Sequence, residues 1–297
     1  MTDPRPRSAA GAARRATDDP NTFVIPADAL PPGFAEKVED ASLVPAPPRP
    51  AATVVLLRDG AEGIEALLLR RHRRSGFAAD AWVFPGGVVD ARDRSGEAAD
   101  RMDGPSPEEW ARRLGIGDPA EALGYVLAAI REAFEETGIL LARPDNVGAP
   151  HADAAHSLEV ARRALLNDVV GLRDVAVGNG LRLSGDALVY IAHWITPLPE
   201  PRRYDTRFFA ARAPEAAVCD VHDAEMTDAL WLRPADAAAR FRAGEMKLLP
   251  PTVHTLARLA EFASWDELRA ALADAPVPSI IPRMESRPDG VAIVVPG

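Results

Sequence analysis

Leu123, Val126, Leu127, Ile130 and Phe134 recur at i, i+3, i+4, i+7 and i+11, the spacing of an apolar stripe along one side of an α-helix. Asp118 suits the N-cap, Pro119 the first helical position, Glu121 completes a capping box and Gly138 suits the C-terminal cap, so the pattern predicts a helix from about 118 to 137. Shorter apolar runs predict strands. Residues 53–57 and 64–69, separated by Asp59-Gly60-Ala61-Glu62-Gly63, read as a buried hairpin, and 82–84 as a short strand running into Pro85-Gly86-Gly87. Further strands are expected at 181–183, 188–194, 208–211 and 229–232, and helices at 154–166, 235–242, 250–259 and 264–272. Ser106-Pro107-Glu108-Glu109 is a second capping box, opening a short helix through Trp110 and Leu114.

Strands interspersed with helices in this way make a mixed α/β sandwich. Residues 1–47, rich in Pro, Ala and Arg and broken by Pro31-Pro32-Gly33, read as a disordered arm and linker, although Phe23-Val24-Ile25 and Phe34 are able to dock on the domain. The main domain is expected over 48–275, followed by a hairpin or tail at 276–297 that turns at Pro288-Asp289-Gly290.

The polar side of the long helix breaks the pattern. Glu132, Glu135 and Glu136 stand at i, i+3 and i+4, which puts three carboxylates on one face. They repel one another, and two of them lie in the last turn, where the helix dipole disfavours anions by about 0.3–1 kcal/mol each. A solvated helix end tolerates such a cluster. A hard divalent cation, Mg²⁺ or Mn²⁺, relieves it more fully, and the Gly87 carbonyl upstream is placed to join the shell.

At this point the sequence resembles a Nudix hydrolase, whose box is Gly-x5-Glu-x7-Arg-Glu-U-x-Glu-Glu-x-Gly-U with U bulky and apolar. Gly87 takes the place of the first glycine and Arg131 through Ile139 match the second half, with Ala133 a small occupant of a U position. The middle departs from the pattern. The box allows 13 residues between glycine and arginine, whereas residues 88–130 make 43, an excess of 30. The first glutamate is therefore unassigned: Asp93 keeps the spacing from Gly87, and Leu123 stands eight before Arg131. An interrupted box behind Phe-Pro-Gly-Gly resembles the peroxisomal coenzyme A diphosphatases of animals and their bacterial relatives.

That resemblance implies a Nudix-type α/β/α sandwich with a mixed sheet, an insertion between 88 and 130, and metal-dependent hydrolysis of a diphosphate. The implied metal set is Gly87, Glu132, Glu135 and Glu136, with Arg131 orienting Glu132. Glu225, about six residues before Trp231, matches an extra carboxylate that many Nudix enzymes carry near the metals, and either it or a box glutamate is the base. Substrate phosphates are expected to meet Arg70, Arg71, Arg73 and Arg74 before the Gly-Gly turn, or Arg203 and Arg207 before the strand at 208. His193 reads as a core histidine, and the insertion as a lid or substrate wall. Coenzyme A or acyl-coenzyme A is the implied substrate, with ADP-ribose or a dinucleotide as the alternative and a non-catalytic nucleotide-binding regulator as the reading of another class.

Composition narrows the partners. A formal charge of −10 argues against a nucleic-acid binder, and no window approaches 18 continuous apolar residues, so no membrane partner is expected. Of 34 basic residues only Lys37 and Lys247 are lysines, leaving 32 arginines whose planar forks suit phosphate. The single Cys219 excludes an intrachain disulfide and reads as a small apolar residue. Asp3, Asp18 and Asp19 count against a transit peptide, and a cytoplasmic location is expected. The expected partner is a small nucleotide, with a homodimer left open.

Overall fold

Along the strand Arg49–Gly60 the side chains alternate between two cores, Ala52, Val54 and Leu56 facing one and Val55 and Leu57 the other. Gly63–Arg71 divides in the same way, with Leu67 and Leu69 against Ile64, Ala66 and Leu68, and so does Tyr204–Arg212, with Phe209 and Ala211 against Phe208 and Ala210. Strands apolar on both sides need cover on both faces, and that requirement fixes the layers. The computed structural model describes residues 15–16, 19–75, 78–145, 154–215, 217–221 and 225–296. Residues 1–14, 17 and 18 of the arm expected above, Asp3 and Asp18 among them, lie outside the described residues.

The central sheet runs in the order Met226–Leu232, Gly63–Arg71, Arg49–Gly60, Tyr204–Arg212, Val189–Ile195, Ser279–Ile280. It is mixed, since Arg49–Gly60 runs parallel to Tyr204–Arg212 and antiparallel to Gly63–Arg71. On one face lies the helix Pro119–Thr137, joined by Pro107–Leu114 and Leu172–Gly178; on the other lie Pro234–Arg242, Pro250–Leu259 and Trp265–Leu272. This is the expected α/β/α sandwich.

One irregularity in the sheet creates the site. Arg49–Gly60 and Gly63–Arg71 pair only near their turn, from Leu57↔Ala66 to Gly60↔Gly63. Beyond it they part, and the segment 82–88 enters the gap, pairing Trp82 and Val83 with Arg70 and Leu69, then Gly86, Gly87 and Val88 with Thr53, Ala52 and Ala51. Gly86–Val88, expected as a turn, is therefore a short strand.

The N-terminal arm is the main correction. Within the expected disordered segment, Thr22–Pro26 is a strand antiparallel to Gly290–Val294, and Phe23, Ile25 and Phe34 are buried in the second core. Its partner lies at the far end of the chain, so no local periodicity announces the pairing. The expected terminal hairpin is present as Arg283–Arg287 and Gly290–Val294 and completes that sheet.

The expected substrate wall is not formed by residues 91–117 of the insertion, although Val88 and Asp90 at its start line the cleft described below. The insertion carries the helix Pro107–Leu114, whose Trp110 is fully buried edge-on to Phe209, and the strand Met102–Asp103, which pairs with Leu181–Ser184. It thus thickens the core behind the long helix.

Candidate active site

The helix Pro119–Thr137 begins at Asp118, whose carboxylate accepts from Ala120 N at 2.9 Å, and ends at Gly138 with φ 73°. Its apolar stripe enters the core, which turns the last two turns of the opposite side toward the parted strands. There Glu132, Glu135, Gly86 and Gly87 line a cleft of about 600 Å³ together with Arg71, Arg202, Tyr204, Thr206 and Glu225.

Arg131 organises the carboxylates. Its Nη1 donates to Glu132 Oε1 at 2.8 Å and to Glu135 Oε2 at 2.7 Å, while Nη2 donates to the Val88 carbonyl at 2.9 Å. The other side of the guanidinium is held by Asp93, Nε to Oδ1 at 3.1 Å and Nη2 to Oδ2 at 3.0 Å. Asp93 is 4% exposed, and it also caps the turn Ala91–Arg94 by accepting from Asp90 N at 2.8 Å. The acidic residue that keeps the Gly87 spacing is thus the one that grips the arginine, and the excess residues enter after it.

Glu132 packs against Gly87 so closely that a Cβ there would overlap its carboxylate, and a Cβ on Gly86 would meet the Ala52 carbonyl at 2.5 Å. Both glycines are required for close approach, and neither has a positive φ. Glu136 is 5% exposed and accepts from Gly86 N at 3.2 Å.

Burial pushes the Glu132 carboxyl up to about 7 despite the Arg131 charge that opposes it. Burial, reinforced by Glu132, drives Glu136 well above the usual carboxylate range, against the Gly86 hydrogen bond and Arg71. Glu135 is also raised, again by burial against Arg131. Among the described residues no three acidic, imidazole or thiol groups converge as a ready ligand set, because two of these carboxylates turn toward Arg131. Even so, two buried carboxylates, Glu132 and Glu136, and the half-buried Glu135 share one helix end with a single guanidinium that reaches only Glu132 and Glu135, and oxygen donors of this type fit a hard divalent cation.

Of the expected phosphate contacts, only Arg71 reaches the cleft, and its buried Nε has no hydrogen-bond partner among the described residues. Arg70 pairs with Asp80 at 2.8 Å, and Arg73 and Arg74 are exposed on the surface. Arg203 and Arg207 are not brought to the cleft either. Arg203 is buried on the Thr196 and Ala46 carbonyls, while Arg207 is buried between the Tyr190 hydroxyl and His193, at 2.8 Å from each. His193 completes that network through Asp205 at 2.7 Å, as a satisfied core histidine does. Burial pushes the Cys219 thiol up to about 11, which leaves it protonated and unreactive near neutrality.

Two features of the site were not legible in the sequence, a cation at the end of the long helix and the strand that lies beside Arg49–Gly60. Arg162, from the helix Ala154–Leu166, donates to the Glu135 carbonyl at 2.9 and 3.1 Å and to Asp220 Oδ2 at 3.0 Å. It supplies a cation at the negative end of the long helix, where the sequence itself places only glutamates. Arg202, Tyr204 and Thr206 reach the cleft because Tyr204–Arg212 pairs in parallel beside Arg49–Gly60, a neighbour more than 140 residues away in the chain.

A helix whose last turns face a Gly-Gly strand across an arginine-centred carboxylate cluster, carried on an α/β/α sandwich, defines a hydrolase of the Nudix class. The NUDT19 Nudix domain matches residues 41–259, and the chain belongs to that family. It is 32% identical over 271 residues to the acyl-coenzyme A diphosphatase NUDT19 of Gallus gallus, covering 75% of this chain and 71% of that protein. The protein of the same name from Homo sapiens is 32% identical over 244 residues, with 70% and 64% covered. A crystal structure of a Nudix hydrolase from Alicyclobacillus acidocaldarius shares the fold with a TM-score of 0.58 at 29% identity, over 78% of this chain and 99% of that one.

Proposed function

We propose that the protein hydrolyses the diphosphate of coenzyme A or acyl-coenzyme A, giving 3′,5′-ADP and (acyl-)phosphopantetheine, with Mg²⁺ or Mn²⁺ held by Glu132, Glu135, Glu136 and the Gly87 carbonyl. The observation that carries this reading is the Arg131 cluster facing Gly86 and Gly87 inside the cleft, and the relatives, named as acyl-coenzyme A diphosphatases, direct it to coenzyme A. When bound, the cation neutralises the diphosphate and lowers the pKa of a water for in-line attack on phosphorus.

Arg131 holds Glu132 and Glu135 in place, and Asp93 holds Arg131. Arg71, on the wall opposite the helix, meets a phosphate oxygen with its unpartnered Nε. Glu225, also on the wall of the cleft, takes the proton of the attacking water. Every residue given a catalytic role in this reading lies within 48–275, the expected hydrolase domain, and the expected setting is the cytoplasm. No described helix is long and apolar enough to cross a membrane.

The test is phosphate-ester product analysis over coenzyme A, ADP-ribose, NADH and dinucleoside polyphosphates with and without Mg²⁺ or Mn²⁺. Metal-dependent release of 3′,5′-ADP from coenzyme A is the expected result. A preference for ADP-ribose overturns the substrate, and binding without turnover of any of them overturns the enzyme.

A further inference from the structure

A second cavity of about 210 Å³ adjoins the cleft. The two share Thr53, Arg71, Gly86, Tyr204 and Thr206 in their walls, so a ligand whose phosphate lies in the first has the second beside it. The deeper wall is apolar, built from Phe84, Trp194, Phe208, Pro250, Met284 and Ile293. Met284 and Ile293 come from the two strands of the C-terminal hairpin, beyond the 41–259 segment that matches the family, whereas the other four lie within that segment.

We propose that this chamber holds the pantetheine arm of the substrate, with its branched dimethyl carbon against Met284, Ile293 and Trp194. The inference rests on the coenzyme A reading above. Three features of the chamber select that arm over the adenosine side. The dimethyl carbon is separated from the phosphate ester oxygen by a single methylene, which matches an apolar wall that begins at the edge of the phosphate cleft. Adenine presents a rim of ring nitrogens that need hydrogen bonds, and a mostly apolar wall leaves them unmet. The 3′-phosphate that accompanies adenosine needs cations, whereas the chamber carries one guanidinium, Arg71 at its mouth, and a buried carboxylate, Glu200, farther in. Size agrees as well. A cavity of about 150 Å³ takes up benzene, so 210 Å³ accommodates the branched carbon and the first amide of the arm but not a long acyl chain beyond it.

The two reaction products divide the substrate at the diphosphate, so product inhibition tests the two halves separately. Hydrolysis of coenzyme A by the wild type is established first, and its absence overturns the functional reading itself. Met284→Trp, which fills the chamber, is then expected to raise KM for coenzyme A and Ki for 4′-phosphopantetheine by about tenfold each, with Ki for 3′,5′-ADP unchanged within about twofold. Met284→Ala, which removes contact without crowding, is expected to raise the same two constants by about threefold and serves if the larger side chain prevents folding. Equal rises for both products would put adenosine in the chamber and overturn the proposal. Unchanged constants for coenzyme A with a raised KM for acyl-coenzyme A alone would assign the chamber to the acyl chain and overturn it equally.

Discussion

Asp93 and Arg131, 38 residues apart in the sequence, meet through two parallel contacts of 3.0 and 3.1 Å in the buried floor of the site. A bidentate pair of this kind fixes the plane of the guanidinium, and that plane decides where Nη1 presents Glu132 and Glu135. The insertion between the two partners leaves their geometry intact because it leaves the floor behind Asp93 and returns through the start of the long helix.

Asp93→Asn keeps the volume and one acceptor but removes the charge. It is expected to lower kcat by about 10- to 100-fold, as loss of a residue supporting a metal-site ligand does. Stability should fall by about 3 kcal/mol, the lower end for breaking a buried pair, because Arg131 retains its two glutamates. Steady-state kinetics and urea unfolding check the two effects separately.

Glu136→Gln is expected to reduce kcat by about 10³-fold at saturating Mg²⁺, since a buried metal ligand becomes a neutral amide. The metal-free protein should melt at a higher temperature at pH 8. In the native fold the burial that raises this carboxyl disfavours its ionised form, and the amide has no charge to bury. An unchanged rate would remove Glu136 from the metal set.

Arg162→Met deletes the cation that binds the Glu135 carbonyl and Asp220. Stability should drop by about 2–3 kcal/mol, measured by denaturant midpoint at constant m-value. The last turn of the long helix should also exchange its amide hydrogens faster, because its terminal carbonyls lose a buried partner.

Arg71→Ala is expected to raise KM by about 10- to 100-fold through loss of a charge-assisted phosphate contact. Arg74→Ala, three residues on and exposed, should change it by less than about twofold. Equal effects at the two positions would show that the whole basic run acts as a diffuse field.

His254 lies between the rings of Phe23 and Trp194, at 5.9 and 5.5 Å, and burial pushes its pKa below the ordinary value of 6.5. Above that value the imidazole is neutral in both folded and unfolded chains and contributes no pH dependence. As pH falls through about 6.5 the unfolded chain gains a proton that the native site resists, so stability declines by up to about 1.4 kcal/mol per pH unit until the native group also titrates. Glu132 and Glu136, raised in the native fold, act in the opposite sense over this range. The contribution of His254 is therefore read as the difference between wild type and His254→Phe in thermal unfolding from pH 7.5 to 5, with the wild type losing stability relative to the variant as pH falls.

The sequence by itself determined the long helix with both its caps, most of the longer strands and helices of the hydrolase domain though not Gly86–Val88 or Leu172–Gly178, the terminal hairpin, and the grouping of Arg131, Glu132, Glu135 and Glu136. Each is a local property, set by spacing along one element, and spacing is what a sequence states directly. Only the tertiary structure decided which arginines serve the site. Arg71 and Arg203 look alike in sequence, yet the parting of the first two strands turns one into the cleft while backbone carbonyls of 46 and 196 bury the other. The same holds for Arg162 at the end of the long helix, for Asp93 under Arg131, and for the strand Thr22–Pro26 that lies against the opposite end of the chain. In each case the partner is distant in sequence, and what selects it is the sheet register and the need to satisfy buried polar groups, which exist only once the chain has folded.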